Sequence, residues 1–238
     1  MTQQIDTAAK FKKINTNDRS NWLRAAVLGS NDGLISIAGL VIGISGAAQS
    51  KESILTAGIA GIIAGAISLG AGEYVSVSAE RDMENALLIK ERKDLVDYPK
   101  EELNDLVSAY ENEGLKPDEA EVVAKEFTEA DAFATHAEVD FNIDPKHLTS
   151  PWSSVFASSC AFVVGSLIPL FAIMLSAKDY MVIVTFIAVV FALIITGTLT
   201  AKVSGAKALK PILRVVTGGV IAMIVTYLVG ILFKVSGA

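Results

Sequence analysis

Two carboxylates interrupt apolar stretches long enough to cross a bilayer: Asp32, beside Ser30 and Asn31, and Glu73, within GAGEYVSVSAE. A charged side chain at mid-span costs about 2.5 to 3.5 kcal/mol on insertion scales, so such residues usually face a bundle interior or a watery path and mark function. Desolvation raises a carboxylate's pKa when no cation is near. Proton release on metal arrival, and metal release on proton arrival, would then form an exchange cycle. A second set of acids follows. Glu80, Glu84, Glu91 and Asp94 are spaced by four, seven and three residues and fall broadly on one side of a helix, and Glu102 and Asp105 repeat the three-residue step. Further on, Glu126, Glu129, His136 and Asp140 share a helical face. Carboxylates with one imidazole suit hard or borderline divalent cations such as Fe²⁺, Mn²⁺ or Mg²⁺ rather than Cu⁺. Like charges this dense would destabilise a small bundle without cations to screen them, which favours a polynuclear or loosely defined cation site over a merely solvated face.

Other chemistries fail on particular residues. DFNID, Asp140 to Asp144, begins like a calcium loop, but Pro145 stands where a glycine must turn and Pro151 where a bidentate Glu is needed. A di-iron centre wants paired Glu-x-x-His motifs, whereas Phe133 and Asp144 lie three before His136 and His147. No GxxxxGK[ST] loop is present, so no nucleotide is expected to drive the chain. The lone Cys160, expected to be a small buried thiol, excludes intramolecular disulfides and cysteine zinc sites.

The elements that must position these acids are apolar. Of 238 residues, 52% are hydrophobic and 19% charged, with a mean hydropathy of +0.48, which disfavours an ordinary soluble enzyme. Five stretches reach the length of about 20 residues that a bilayer demands: Ala25 to Ala48, Ser53 to Ala79, Trp152 to Ser176, Tyr180 to Thr200 and Ile212 to Phe233. Lysines and arginines crowd the N-terminal arm, the acidic block and the fourth connection, while the opposite side has only Lys51, Lys178 and Lys234. That asymmetry places the N-terminus and the acidic block in the cytoplasm. The polar first 24 residues lack a secretion signal's apolar core.

From Glu80 to Lys146 the chain has 20 acidic and 8 basic residues, net −12, which would repel nucleic acid and attract cations. Ala79 to Val96 continues the second span without Gly or Pro. A second helix is expected from about Lys100 to Glu113, capped by Gly114, and a third from Pro117 to about Val139. Leu103, Leu106, Val107 and Tyr110, with Val122, Val123, Phe127 and Phe133, would let them pack as a bundle. Gly39 and Gly43, then Ala57, Gly61 and Gly65, offer small faces for packing spans one and two together or against a second subunit. Pro169 interrupts span three, where a kink is tolerated.

RAAVLGSNDGLISIAGLVIGISGA, then ISLGAGEYVSVSAERDMENALL, then LTSPWSSVFASSCAFVVGSLIPL resemble the vacuolar iron transporter family over nearly the whole chain from Asn21. The resemblance implies a homodimer of five-span subunits that export or sequester Fe²⁺, and often Mn²⁺, against protons. It also implies a cytoplasmic metal-binding domain built from the extension of span two and two further helices. Asp32 matches the family's span-one aspartate and Glu73 the glutamate of its GEY motif. Glu91, Asp94, Glu102 and Asp105 are similar to its paired metal-binding glutamates, two of them shortened to Asp. Leu69 replaces a methionine that plant members carry ahead of the AGE stretch, and the third helix lacks the family's Glu and Met pattern. There helical phase points to Glu126, Glu129, His136 and Glu138.

The expected protein is all-α: a polytopic membrane protein with five transmembrane helices and a small three-helix metal-binding domain between helices two and three. Its expected divisions are a cytoplasmic arm (1–24), helices one and two (25–79), a cytoplasmic acidic domain (80–147) and helices three to five (148–238). The expected activity is proton-coupled transport of Fe²⁺ or Mn²⁺ out of the cytoplasm, through the cytoplasmic membrane of a prokaryote or the vacuolar membrane of a eukaryote. The ions are substrates, and no cofactor is required. The rival is a membrane-anchored metal buffer or sensor that moves no ion.

Overall fold

The computed structural model describes residues 17–47 and 50–235. The first 16 residues of the expected N-terminal arm and the far end of span one at Ala48 lie outside the described residues. Among the described residues there are seven α-helices and no strand: α1 (Asn17–Gly46), α2 (Lys51–Asp97), α3 (Pro99–Asn112), α4 (Pro117–Phe141), α5 (Pro151–Leu175), α6 (Met181–Ser204) and α7 (Leu209–Val235). Five of them, α1, α2, α5, α6 and α7, are long and apolar enough to cross a bilayer. The chain divides into two compact units, Ser76–Ser150 and the remainder, so that α2 contributes to both.

In the apolar unit α1 is central. One side of it joins Ile37 and Val41 to Ile54 and Ile62 of α2 and to Phe162, Leu170 and Ile173 of α5. The other joins Leu34, Ala38 and Ile42 to Val189 and Leu193 of α6 and Met223 of α7. Two crossings bring backbones into contact. A Cβ on Gly29 would strike the carbonyl oxygen of Ser158, one on Gly33 that of Phe162, and one on Gly165 that of Ser30. On α7, Gly230 meets the carbonyl of Gly43 in the same way. Without side chains between them, helices in lipid gain close van der Waals contact and Cα–H···O contacts. The small residues at these crossings are therefore Gly29 and Gly33 against α5 and, on the expected face, Gly43 against Thr226 and Gly230 of α7. The glycines of α2 behave differently: Gly58, Gly61 and Gly65 lie under the side-chain ends of Leu170, Leu40 and Phe162. α5 runs through the buried Pro169 as one helix. Cys160 is exposed on α5, contrary to the expectation of a buried thiol, because its neighbours at Ser158, Ser159 and Phe162 take the inward positions. The Tyr74 and Trp152 rings pack at a tilt of 53° with centroids 5.2 Å apart, and Phe156 follows at 6.4 Å from Trp152. Such aromatic groups favour the membrane–water boundary.

In the acidic unit, proline opens both short helices at a first-turn position where its missing N–H costs nothing. Gly114 ends the first of them at φ +103, a conformation a side chain would disfavour. Leu106 and Tyr110 of α3 are buried with Ala120 and Ala124 of α4, and Tyr110 faces Phe127 at 6.2 Å. Val122, expected on this stripe, is 56% exposed because the buried positions of α4 are the smaller alanines. Beyond them, Leu88 of α2 packs with Ala137 and Ile143. α4 is not continuous: Asp131, at φ −165 and ψ 85, is extended and divides it into two helices.

Candidate metal centre

Four residues of the acidic unit converge. Glu91 of α2, Glu102 of α3, and His136 and Asp140 of α4 each offer a ligand atom, and the four atoms lie within 4.8 Å of one another. Metal–oxygen bonds of about 2.0 to 2.6 Å put ligands across an ion about 4 to 5 Å apart, so one divalent cation fits the spacing. The Nδ1 of His136 lies 3.3 Å from Glu91 Oε1, 3.3 Å from Asp140 Oδ2 and 3.6 Å from Glu102 Oε2. His136 is fully buried and Glu91 is 5% exposed. With Nδ1 turned to the carboxylates, Nε2 is buried without a hydrogen-bond partner among the described residues.

The electrostatics follow from crowding. Burial first, then the charge of Glu102, holds the Glu91 carboxyl above the usual carboxylate range. Burial likewise raises Glu102, with Asp105 and Asp94 adding repulsion and His136 opposing. For His136 burial alone would lower the pKa, but the hydrogen bond and charge of Asp140, with Glu91 and Glu102, outweigh it and hold the imidazole above its ordinary value. Without metal the pocket keeps protons, and the imidazolium is their natural seat. A divalent ion that needs the Nδ1 lone pair must displace that proton. The ion it suits is hard or borderline, with oxygen donors in the majority.

The remaining acids singled out by spacing lie around this group. Asp94 pairs with Lys90 at 4.0 Å and, with Asp105, acts on Glu102 by charge. Glu80, Glu126 and Glu129 are exposed and Glu84 is half-buried. Glu138 is half-buried, and burial with the charge of Asp144 raises its pKa. Asp140 shares the helical phase of His136, and these two are the members of the four that the family pattern does not supply.

In the apolar unit Asp32 accepts a hydrogen bond from Ser36 Oγ at 3.1 Å, and it lies exposed within a row of exposed α1 residues four apart, Arg24, Leu28, Asp32 and Ser36. Next to it, Asn31 Oδ1 is buried without a hydrogen-bond partner among the described residues. Glu73 is half-buried, one residue before the Tyr74 ring that packs on Trp152.

The profile described as the VIT family matches residues 23–231. The chain belongs to the VIT family. Relatives within it include the "Vacuolar iron transporter" of Acanthamoeba castellanii, 34% identical over 93% of this chain and 82% of the relative. The "Vacuolar iron transporter homolog 3" of Arabidopsis thaliana is 33% identical over 91% and 85%. The "Vacuolar iron transporter homolog 5" of Oryza sativa is 32% identical over 98% and 92%. VIT family membership thus covers all five membrane-length helices and the acidic unit between them.

Proposed function

We propose that this chain is a divalent-metal transporter that moves Fe²⁺, and Mn²⁺ as a close chemical analogue, out of the cytoplasm in exchange for protons. It captures the ion on Glu91, Glu102, His136 and Asp140, with Asp94 and Asp105 supplying surrounding negative charge. It passes the ion along a path that includes Asp32 and Glu73. Glu80, Glu84, Glu126, Glu129 and Glu138 make the approach acidic. The acidic unit and the N-terminus face the cytoplasm, where the excess of lysine and arginine beside the spans would hold them. The names of the relatives support iron as cargo.

The observation that carries the reading is Asp32: a carboxylate on a membrane-length helix, exposed on the isolated chain. Facing lipid, it would carry the insertion penalty with one hydroxyl as compensation. A second copy of the chain placed against that row turns the same residue into the wall of a polar passage, which supports a homodimer with its path between the subunits. Proton countertransport belongs to the same reading, as competition between metal and proton for acidic ligands.

The test is flux into proteoliposomes under an imposed pH gradient, with Fe²⁺ under reducing conditions and with Mn²⁺. The native chain is expected to move metal with opposite proton movement. Asp32→Ala is expected to stop flux while metal binding to the acidic unit persists. Native flux in Asp32→Ala would refute the path, and binding without flux in the native chain would establish the buffer or sensor instead.

A further inference from the structure

The break in α4 falls five residues before His136 and involves no proline or glycine. Asp131 takes an extended conformation there, and its Oδ1 accepts the backbone N–H of Ala134 at 3.0 Å, the contact of a helix N-cap placed inside a helix. Thr135 Oγ1 bridges the break, donating to the Asp131 carbonyl at 2.8 Å and the Phe127 carbonyl at 3.2 Å. Lys146 Nζ reaches the other oxygen, Asp131 Oδ2, at 3.5 Å.

The cap changes which residues face inward. Positions seven apart share a face on a straight helix, yet Glu129 is exposed and His136 fully buried. The buried stripe of the first half, Ala120 and Ala124, would continue through Asp131 and Thr135; instead it resumes at His136 and Ala137. Each half has its own partner. The first packs on α3 through Tyr110 and Phe127, and the second packs on α2 through Leu88 and Ala137 and through Arg92, whose guanidinium lies 4.3 Å over the Phe133 ring.

We propose that Asp131 is a positioning residue for cation capture: by capping the second half of α4 it resets the helical phase so that His136 and Asp140 meet Glu91 and Glu102. Asp131 touches no cation itself. This role rests on the four-residue site above and assigns what builds it.

The experiment uses the full chain in detergent micelles with Mn²⁺ as probe. Affinity is measured by calorimetry, and coordination of the histidine by the ¹⁴N modulation it imposes on the Mn²⁺ electron spin echo. Asp131→Ala is expected to weaken binding about tenfold and to lose the nitrogen modulation, while Asp131→Asn, which keeps the acceptor oxygen, stays within about twofold and retains it. Thr135→Val keeps the cap but unties the bridge, and is expected to weaken binding several-fold in the same direction. It stands in should Asp131→Ala not fold. Native affinity and modulation in Asp131→Ala or, in its place, in Thr135→Val would overturn the proposal. Equal loss in Asp131→Ala and Asp131→Asn would do the same. Absence of nitrogen modulation in the native chain would refute the four-residue site itself and the positioning role with it, a result visible before any variant at 131 is made.

Discussion

Mn²⁺ affinity should climb with pH because the metal-free pocket holds protons that the ion displaces. Glu91 and Glu102 lie above the usual carboxylate range and His136 above the usual imidazole value, all three held there by burial and by one another's charge. An ion that takes the imidazole nitrogen releases the proton held there, so proton release accompanies binding wherever His136 is protonated. Each proton released steepens the binding constant by about tenfold per pH unit. A rise of about tenfold is therefore expected for each unit below the His136 pKa, and towards about a hundredfold per unit once Glu91 also carries a proton. Calorimetry in buffers of different ionisation enthalpy counts the protons directly, and the full chain should return a net release that grows towards about one as the pH falls through the His136 value. His136→Gln should lose that proton and flatten the neutral limb. A binding constant unchanged from pH 5.5 to 7.5, or a proton count unaffected by His136→Gln, would refute this account of the pocket.

The same shifts make the metal-free acidic unit less stable as pH rises. Groups with raised folded pKa bind more protons folded than unfolded, so stability is greatest below the ordinary values of 4.5 and 6.5 and is lost as pH climbs through the raised ones. Thermal unfolding should show this decline, and saturating Mn²⁺ should abolish it; a melting temperature that rises with pH over this interval would count against it. In the apolar unit, Gly33→Ala would set a Cβ against the Phe162 carbonyl and 2.7 Å from Ser166 Oγ, and should cost about 1 to 3 kcal/mol by thermal melting in detergent. Gly218→Ala, with nothing within 4 Å, serves as the control and should be neutral or stabilising.

The spans were legible because apolar length is a local property, and the short helices because proline and glycine mark their ends. Glu91, Glu102 and His136 could be picked out by residue type and helical phase. Their convergence could not, since phase on one helix says nothing of the register of another. The grouping of Glu126 and Glu129 with His136 and Asp140 assumed one straight helix, and the cap at Asp131 invalidates it: the two glutamates belong to the half that packs on α3 and lie exposed. An aspartate, whose side chain can accept the N–H three residues on, is the one local sign of that break, and it is weak without a proline or glycine beside it. The glycines of α2 and of late α1 stood out by regular spacing; those of α2 meet side chains, Gly43 of late α1 does lie at a backbone crossing, with Gly230, and the crossing at Gly29, Gly33 and Gly165 went unmarked because its significance lies in a carbonyl on the facing helix.

That crossing also decides which parts of the apolar unit can slide. Where Gly29 and Gly33 touch the main chain of α5, no layer of side chains exists to shear, and the two helices must travel as a single stiff panel with Asp32 mounted on it. α2 meets that panel through the side chains of Leu40, Leu170 and Phe162 and through hydrogen bonds from Ser159 Oγ to the Ala66 carbonyl at 3.1 Å and from Lys51 Nζ to the Ser176 carbonyl at 3.0 Å. In the transport proposed above, α1 and α5 would therefore shift only together, and any change in their spacing to α2 would have to break those two hydrogen bonds.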